Sequence, residues 1–189
     1  MYNLKIIIAS TRPGRKGPAL ANWIFEVAKK YTEFSVELLD LAEINLPFLD
    51  EPNHPRMQQY TKEHTKKWSA TITSADAFIF VTPEYNYGYP ATLKNAIDFL
   101  FNEWNFKPVA FVSYGGIAAG TRSMQAIKQV LTALNMVPVV TAVNVPLFTK
   151  YIDGQNKFNA DEGINAAADG MMKELLNWTG VLHQMRNKK

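Results

Sequence analysis

Six of the ten glycines in this 189-residue chain follow apolar runs, in three segments whose residues could do chemistry. They are Gly14, Gly17, Gly88, Gly115, Gly116 and Gly120. Glycine lets the backbone approach a ligand closely and leaves N–H groups able to donate hydrogen bonds. In an open parallel sheet, ligands bind beyond the carboxyl ends of the strands. We therefore expect segments 10–18, 82–90 and 113–122 to surround one small molecule.

The first segment, residues 10–18, combines hydroxyl groups, three cations and a helix start at a Gly-Pro pair. Such a set suits a phosphate, because a helix N-terminus and arginine side chains both bind anions. The segment matches neither the P-loop nor the G-x-G-x-x-G fingerprint, so a solvated basic turn is the alternative interpretation. The candidate phosphate-binding residues are Ser10, Arg12, Arg15, Gly17 and Pro18.

The second segment, residues 82–90, carries three tyrosines within five residues directly after a buried run. Planar rings can stack on a planar ligand, and amide groups nearby can bind its polar edge. The tyrosines could instead pack the loop onto a helix or form a subunit interface. The candidate ring-binding residues are Pro83, Glu84, Tyr85 and Asn86.

The third segment, residues 113–122, contains a G-x-x-x-x-G spacing, but Thr121-Arg122 replaces the Lys-Ser/Thr pair of a triphosphate-binding loop. Its small residues would let backbone N–H groups reach the carbonyl edge of a flat ring. A flexible turn is the alternative. The candidate residues are Ser113, Tyr114, Gly115 and Gly116.

Five short apolar runs, each followed by a helical pattern, must position these segments. The runs predict strands over about 4–9, 34–41, 77–81, 109–112 and 137–145. Pro138 places the last strand at an edge, because proline cannot donate to a central ladder. Helices are predicted from Gly17, over residues 56–74, over Leu93 to Trp104, over 124–134 and over 164–175. The alternation predicts one α/β domain, residues 1–189, with a parallel sheet covered on both faces.

Composition excludes several function classes. The chain has no cysteine, which rules out disulfides, thiolate metal sites and cysteine-ligated clusters, so redox chemistry would need a bound cofactor. The three histidines lack metal-ligand spacing. The formal charge of +3 is spread along the chain, which disfavours nucleic acid binding. No apolar run is long enough to span a membrane, and we expect a cytoplasmic protein.

The motifs on the second segment and its helix, PEYNYGYP and LKNAID, resemble those of the NAD(P)H-dependent FMN reductases, as do Ser10-x-Arg12 and Ser113-Tyr114-Gly115-Gly116. The similarity covers about residues 4–145. The family often has Gly-Ser at the start of the first loop and Ser-x-Asn after the arginine, whereas this chain has Ala9-Ser10 and Arg15-Lys16-Gly17.

The resemblance implies a flavodoxin-like sheet of order 2-1-3-4-5, bound FMN, NADPH or NADH as co-substrate, and a homodimer or tetramer. It implies hydride transfer by ping-pong kinetics to a flavin, a quinone or a similar acceptor. The first segment would then bind the FMN phosphate, and the other two would contact the ring. A single-electron carrier that needs a partner reductase is the alternative, and a redox sensor is a third possibility.

Overall fold

In the computed structural model, which describes residues 1–188, the strands form one parallel sheet. They are β1 (Tyr2–Ile8), β2 (Phe34–Asp40), β3 (Ala77–Pro83), β4 (Pro108–Tyr114), β5 (Val137–Pro138) and β6 (Val143–Val145). The order is β2-β1-β3-β4-β5, and β6 also pairs with β4. This confirms the expected 2-1-3-4-5 arrangement, whose strand order reverses between β1 and β3.

Helices cover both faces of the sheet. They are α1 (Gly17–Ala28), α2 (Leu41–Ile44), α3 (Glu63–Thr73), α4 (Ala91–Asp98), α5 (Thr121–Ala133) and α6 (Glu162–Asn187). Helices α1 and α6 pack on one face, and α3, α4 and α5 pack on the other. Strands β3 and β4 are therefore buried along their whole length, as central parallel strands are. In residues 1–188 no helix is both long and apolar enough to cross a membrane.

The helix predicted over residues 56–74 begins later than expected. Pro55–Met57 forms a separate 3₁₀ turn, and Gln58 follows it with a left-handed φ of 52°. The Glu51 carboxylate accepts hydrogen bonds from the amides of Thr61 and Lys62, both at 2.8 Å. The predicted start was wrong because a distant side chain, outside the helical pattern, holds these amides. Helix α3 begins at Glu63.

Two further boundaries differ from the predictions. The strand predicted over residues 137–145 is two short strands, β5 and β6, which both pair with β4 at the sheet edge. The edge position inferred from Pro138 is confirmed. The helix predicted over Leu93 to Trp104 ends at Asp98, and Asn102–Trp104 forms a 3₁₀ turn. Trp104 is fully buried, and its Nε1 donates to the Ile97 carbonyl at 3.1 Å, so it belongs to the core.

Candidate cofactor site

The three predicted loops meet around a cavity of about 450 Å³ at the carboxyl ends of β1, β3 and β4. The volume lies within the ~300–1,000 Å³ typical of cofactor and ligand pockets. The lining consists of Arg12, Arg15 and Lys16, then Pro83, Glu84, Tyr85 and Asn86, then Tyr114, Gly115 and Gly116, and finally Phe148. Nine of the predicted site residues are among these eleven.

The N-terminus of α1 presents unpaired donors. Aspartate side chains cap α2 and α6, whereas α1, like α3, α4 and α5, has no side-chain cap. In the described part of the chain, the amides of Lys16 and Gly17 donate to no acceptor. A helix N-terminus with free N–H groups carries a partial positive charge and binds anions. The first loop therefore offers a preformed anion site.

The two arginines of the first loop play different parts. Arg15 Nη1 and Nη2 donate to the two Asp40 carboxylate oxygens at 2.7 and 2.6 Å, and Nη1 also donates to the Ser10 carbonyl at 2.9 Å. The hydrogen bonds to Asp40 raise the pKa of Arg15. The charge of Arg15 is thus compensated, and the residue ties the loop to the end of β2. Arg12 is exposed and, within residues 1–188, its side chain makes no hydrogen bond or ion pair, so its charge is available.

Ser10, Gly17 and Pro18 lie outside the cavity lining. Ser10 is fully buried beside the first turn of α1, and Pro18 is in that turn. A Cβ on Gly17 would lie only 2.4 Å from Ser10 Oγ, so no other residue fits there without moving the serine. Gly17 is therefore required for close packing rather than for an unusual backbone conformation.

The second loop ends in a tight turn. Tyr85 and Gly88 exchange two backbone hydrogen bonds of 2.9 Å, and Asn86 and Tyr87 between them have φ values of 49° and 70°. Two positive φ angles are typical of a type I′ turn, which normally takes Asn and Gly. Asn86 suits its position, but Tyr87 occupies the position where glycine is preferred. The turn therefore needs contacts from outside it.

Arg122, at the start of α5, supplies those contacts. Its guanidinium lies 4.1 Å from the centre of the Tyr87 ring, and Nη1 donates to Glu84 Oε1 at 2.7 Å. The bond to Glu84 raises the pKa of Arg122. One cation thus stacks on one residue of the loop and pairs with another. This arrangement holds the second loop against α5 at the rim of the cavity.

In the third loop, Gly120 packs against the backbone at the end of β4. A Cβ on Gly120, whose φ is 77°, would lie 2.7 Å from the Tyr114 amide nitrogen, so only glycine fits. Ser113 Oγ is buried and lies 2.8 Å from both the Ala119 carbonyl and Asn144 Oδ1. Ser113 therefore supports the loop from below and does not line the cavity. The amides of Gly116 and Ile117 donate to no acceptor in the described residues.

Four contributors were not among the predicted site residues: Lys16, Asp40, Arg122 and Phe148. Lys16 Nζ contacts Asn156 Oδ1 and lies within the basic stretch of the first loop. Asp40 is the last residue but one of the second predicted strand, so its position at the same sheet edge was a usable signal. Arg122 is the last residue of the third segment, but nothing in the sequence indicated that it contacts Glu84. Phe148 follows β6 and carried no signal in the sequence.

A second cavity of about 260 Å³ lies on the other side of Thr11. Its lining, from Thr11, α2 and α4, contains no charged side chain. It therefore offers no counter-ion to a phosphate. The anion-binding groups belong to the cavity formed by the three loops.

The sequence of this chain is similar to those of known proteins. The profile of a family described as NADPH-dependent FMN reductase matches residues 3–150. An NAD(P)H-dependent FMN reductase of Schizosaccharomyces pombe is 46% identical over 145 residues, which cover 75% of this chain and 72% of the relative. An NAD(P)H:quinone oxidoreductase of Solanum tuberosum is 34% identical, over 69% of this chain and 67% of the relative.

A solved structure shows the same fold. The flavoenzyme NAD(P)H:(acceptor) oxidoreductase FerB from Paracoccus denitrificans superimposes with a TM-score of 0.74 at 19% identity. The superposition covers 94% of this chain and 98% of that one.

Proposed function

The chain belongs to the NADPH-dependent FMN reductase family, and we propose that the cavity formed by the three loops holds FMN, with the phosphate at α1 and the ring between the second and third loops. Membership makes the chain an FMN-dependent oxidoreductase that uses NAD(P)H. Bound FMN supplies two-electron redox chemistry that protein side chains lack. The role of the protein is to bind the flavin, orient it and shield it.

The uncapped N-terminus of α1 carries this proposal. Arg12, with its unpaired guanidinium, and Lys16, with its free amide, line one end of the cavity, and the free amide of Gly17 follows that of Lys16 in the chain. Together they match the charge and the several acceptor oxygens of a phosphate. Arg15 serves this site indirectly, because its pairing with Asp40 holds the loop that carries Arg12.

The other end of the cavity fits a flat ring. The free amides of Gly116 and Ile117 can donate to ring carbonyls, and a Cβ on Gly116 would meet no atom within 4 Å, so the backbone is open to a ligand. The exposed Asn86 side chain offers both a donor and an acceptor to a polar ring edge. The second and third loops thus divide the ring contacts between them.

We further propose a quinone or a free flavin as the acceptor. The names of the relatives in yeast and potato support these two classes. Tyr87 and Ile117, at the rim, are 69% and 89% exposed, so the described chain leaves one face of the cavity open. NAD(P)H and the acceptor would use this face in turn. One hydride and one proton convert a quinone to its hydroquinone while NAD(P)H becomes NAD(P)⁺.

Steady-state kinetics with a panel of acceptors tests this proposal. NADPH oxidation is measured against menadione, benzoquinone and free FMN, with no partner protein present. We expect turnover with at least one acceptor and parallel lines in double-reciprocal plots, as a shared site requires. Absence of NADPH oxidation in flavin-loaded protein would instead favour the single-electron carrier.

We also propose a homodimer or tetramer. The segment over residues 47–57 carries Phe48 at 85% exposure and Met57 at 57%, so apolar surface remains uncovered. The segment packs against α4 and the following turn, because Asn95 Nδ2 donates to the Pro47 carbonyl and Arg56 stacks on Phe101.

Sedimentation velocity tests the oligomeric state. We expect Phe48→Asp to shift the protein towards the monomer. A monomeric wild type would refute the proposed dimer or tetramer.

A further inference from the structure

We propose that Tyr114 positions Ser10, so that the Ser10 hydroxyl donates its proton to the FMN phosphate. The inference rests on the proposed phosphate site at α1. Tyr114 follows Ser113 at the end of β4, where the sequence suggested a ring contact. Its hydroxyl instead reaches across to the first loop, where Oη lies 3.2 Å from Ser10 Oγ.

The two hydroxyls form an isolated buried pair. Ser10 is fully buried and Tyr114 is 3% exposed. In residues 1–188 each hydroxyl has the other as its one hydrogen-bond partner. A hydroxyl carries one donor proton and two acceptor lone pairs. If Tyr114 donates to Ser10, the serine proton is left without an acceptor and can serve a ligand.

The position of this pair directs that proton towards α1. A Cβ on Gly17 would lie 2.4 Å from Ser10 Oγ and 3.0 Å from Tyr114 Oη. The pair thus fills the space beside the first residue of the helix, next to the unpaired amides. A phosphate bound to those amides would complete the hydrogen bonding of Ser10. The absence of a side chain at residue 17 makes this approach possible.

Two features keep Tyr114 oriented and protonated. The Phe148 ring packs against the edge of the Tyr114 ring, with centroids 5.0 Å apart and planes at 67°, which fixes its orientation. Burial raises the pKa of Tyr114, so the phenol keeps its proton at physiological pH. The hydrogen bond with Ser10 and the charges of Arg12 and Arg15 oppose that effect only in part. Tyr114 therefore keeps a proton to donate and holds it in a fixed orientation.

Comparison of FMN with riboflavin isolates this role, because riboflavin lacks the phosphate. Dissociation constants of both flavins are measured by fluorescence quenching with deflavinated wild type, Tyr114→Phe and Ser10→Ala. We expect Tyr114→Phe to weaken FMN binding about fivefold to tenfold, since a neutral hydrogen bond contributes on the order of 1 kcal/mol. Riboflavin binding should not change. Tyr31→Phe, whose hydroxyl bonds Asp169 on the far side of α1, should change neither constant.

The double variant adds a second readout. If Tyr114 acts through Ser10, then Tyr114→Phe in the Ser10→Ala background should cause no further loss of FMN binding. Additive losses, an unchanged FMN constant, or an equal loss for both flavins would overturn the positioning role. Equal affinity of the wild type for FMN and riboflavin would instead show that the phosphate site itself is wrongly placed. The two failures are thus distinguishable.

Discussion

Arg15 and Asp40 form a two-point ion pair, with N–O distances of 2.7 and 2.6 Å, that joins the first loop to the end of β2. Both side chains are largely buried, at 18% and 12% exposure. Asp40 Oδ1 also accepts from the Ala42 amide and caps α2. One carboxylate thus fixes a loop and starts a helix.

Replacement of Asp40 should therefore lower the stability of the protein. We expect Asp40→Ala to reduce the free energy of unfolding by about 1–3 kcal/mol, because it removes a cap and leaves Arg15 without its counter-ion. Asp40→Asn should lose less, since asparagine still caps the helix. Urea unfolding measures both. Equal stability of all three proteins would contradict this role.

Arg12 should matter for the cofactor and not for the fold. Its side chain is exposed and makes no hydrogen bond or ion pair in residues 1–188, so Arg12→Ala should leave stability within about 0.5 kcal/mol. Loss of a charged phosphate contact should weaken FMN binding about tenfold to a hundredfold. Flavin content after gel filtration measures this, with Lys30→Ala as the control. Undiminished flavin content in Arg12→Ala would remove Arg12 from the site.

The second loop should depend on Arg122. Tyr87 holds a φ of 70° while its ring lies under the Arg122 guanidinium, which also binds Glu84. We expect Arg122→Ala to quicken hydrogen exchange at the amides of Tyr85 and Gly88 several-fold, because the turn loses both outside contacts. Lys128→Ala, on the same helix, is the matched control. If exchange is equally slow in Arg122→Ala, the turn is stable by itself.

Acid should weaken the segment that precedes α3. Burial alone would raise the pKa of Glu51, but hydrogen bonds from the Thr61 and Lys62 amides lower it to about 2. A carboxylate whose pKa is lower in the folded state stabilises the fold above its unfolded pKa of about 4.3, and this stability disappears as the pH falls towards 2. Because water screens the group, we expect about 1 kcal/mol or less.

The Glu51→Gln variant tests this dependence. Its deficit in unfolding free energy relative to wild type should be present at pH 7 and should shrink between about pH 4 and pH 2. Glu26→Gln, at an exposed pair with Lys29, is the control for removal of a surface carboxylate. A deficit that stays constant over this range would mean that Glu51 acts through shape and not through charge.

The parts of the fold that could be predicted from sequence are those set by burial. Strands β1, β3 and β4 have long apolar runs because helices cover both of their faces. The start of α3 could not be predicted, because Glu51 holds Thr61 and Lys62 from ten or eleven positions away. Local periodicity contains no information on such a contact.

In the site, too, some features could be predicted from the sequence and others depend on contacts between distant residues. Glycine-rich loops after strands predicted where the cavity lies, since parallel strands bring their carboxyl ends to one edge. The pairing of Arg15 with Asp40, 25 positions apart, and of Arg122 with Glu84, 38 apart, depends on which strands are neighbours. These pairings decide which cations are available to a ligand, and therefore separate Arg12 from Arg15.

Anaerobic mixing of the flavin-loaded protein with NADPH tests whether the chain is an NAD(P)H-dependent oxidoreductase. We expect flavin absorbance near 450 nm to bleach in a rapid single phase without any partner protein, and added quinone to restore it. Protein that binds FMN but is not reduced by NADPH or NADH would contradict an NAD(P)H-dependent oxidoreductase. Protein that cannot be loaded with FMN would contradict the cofactor site itself.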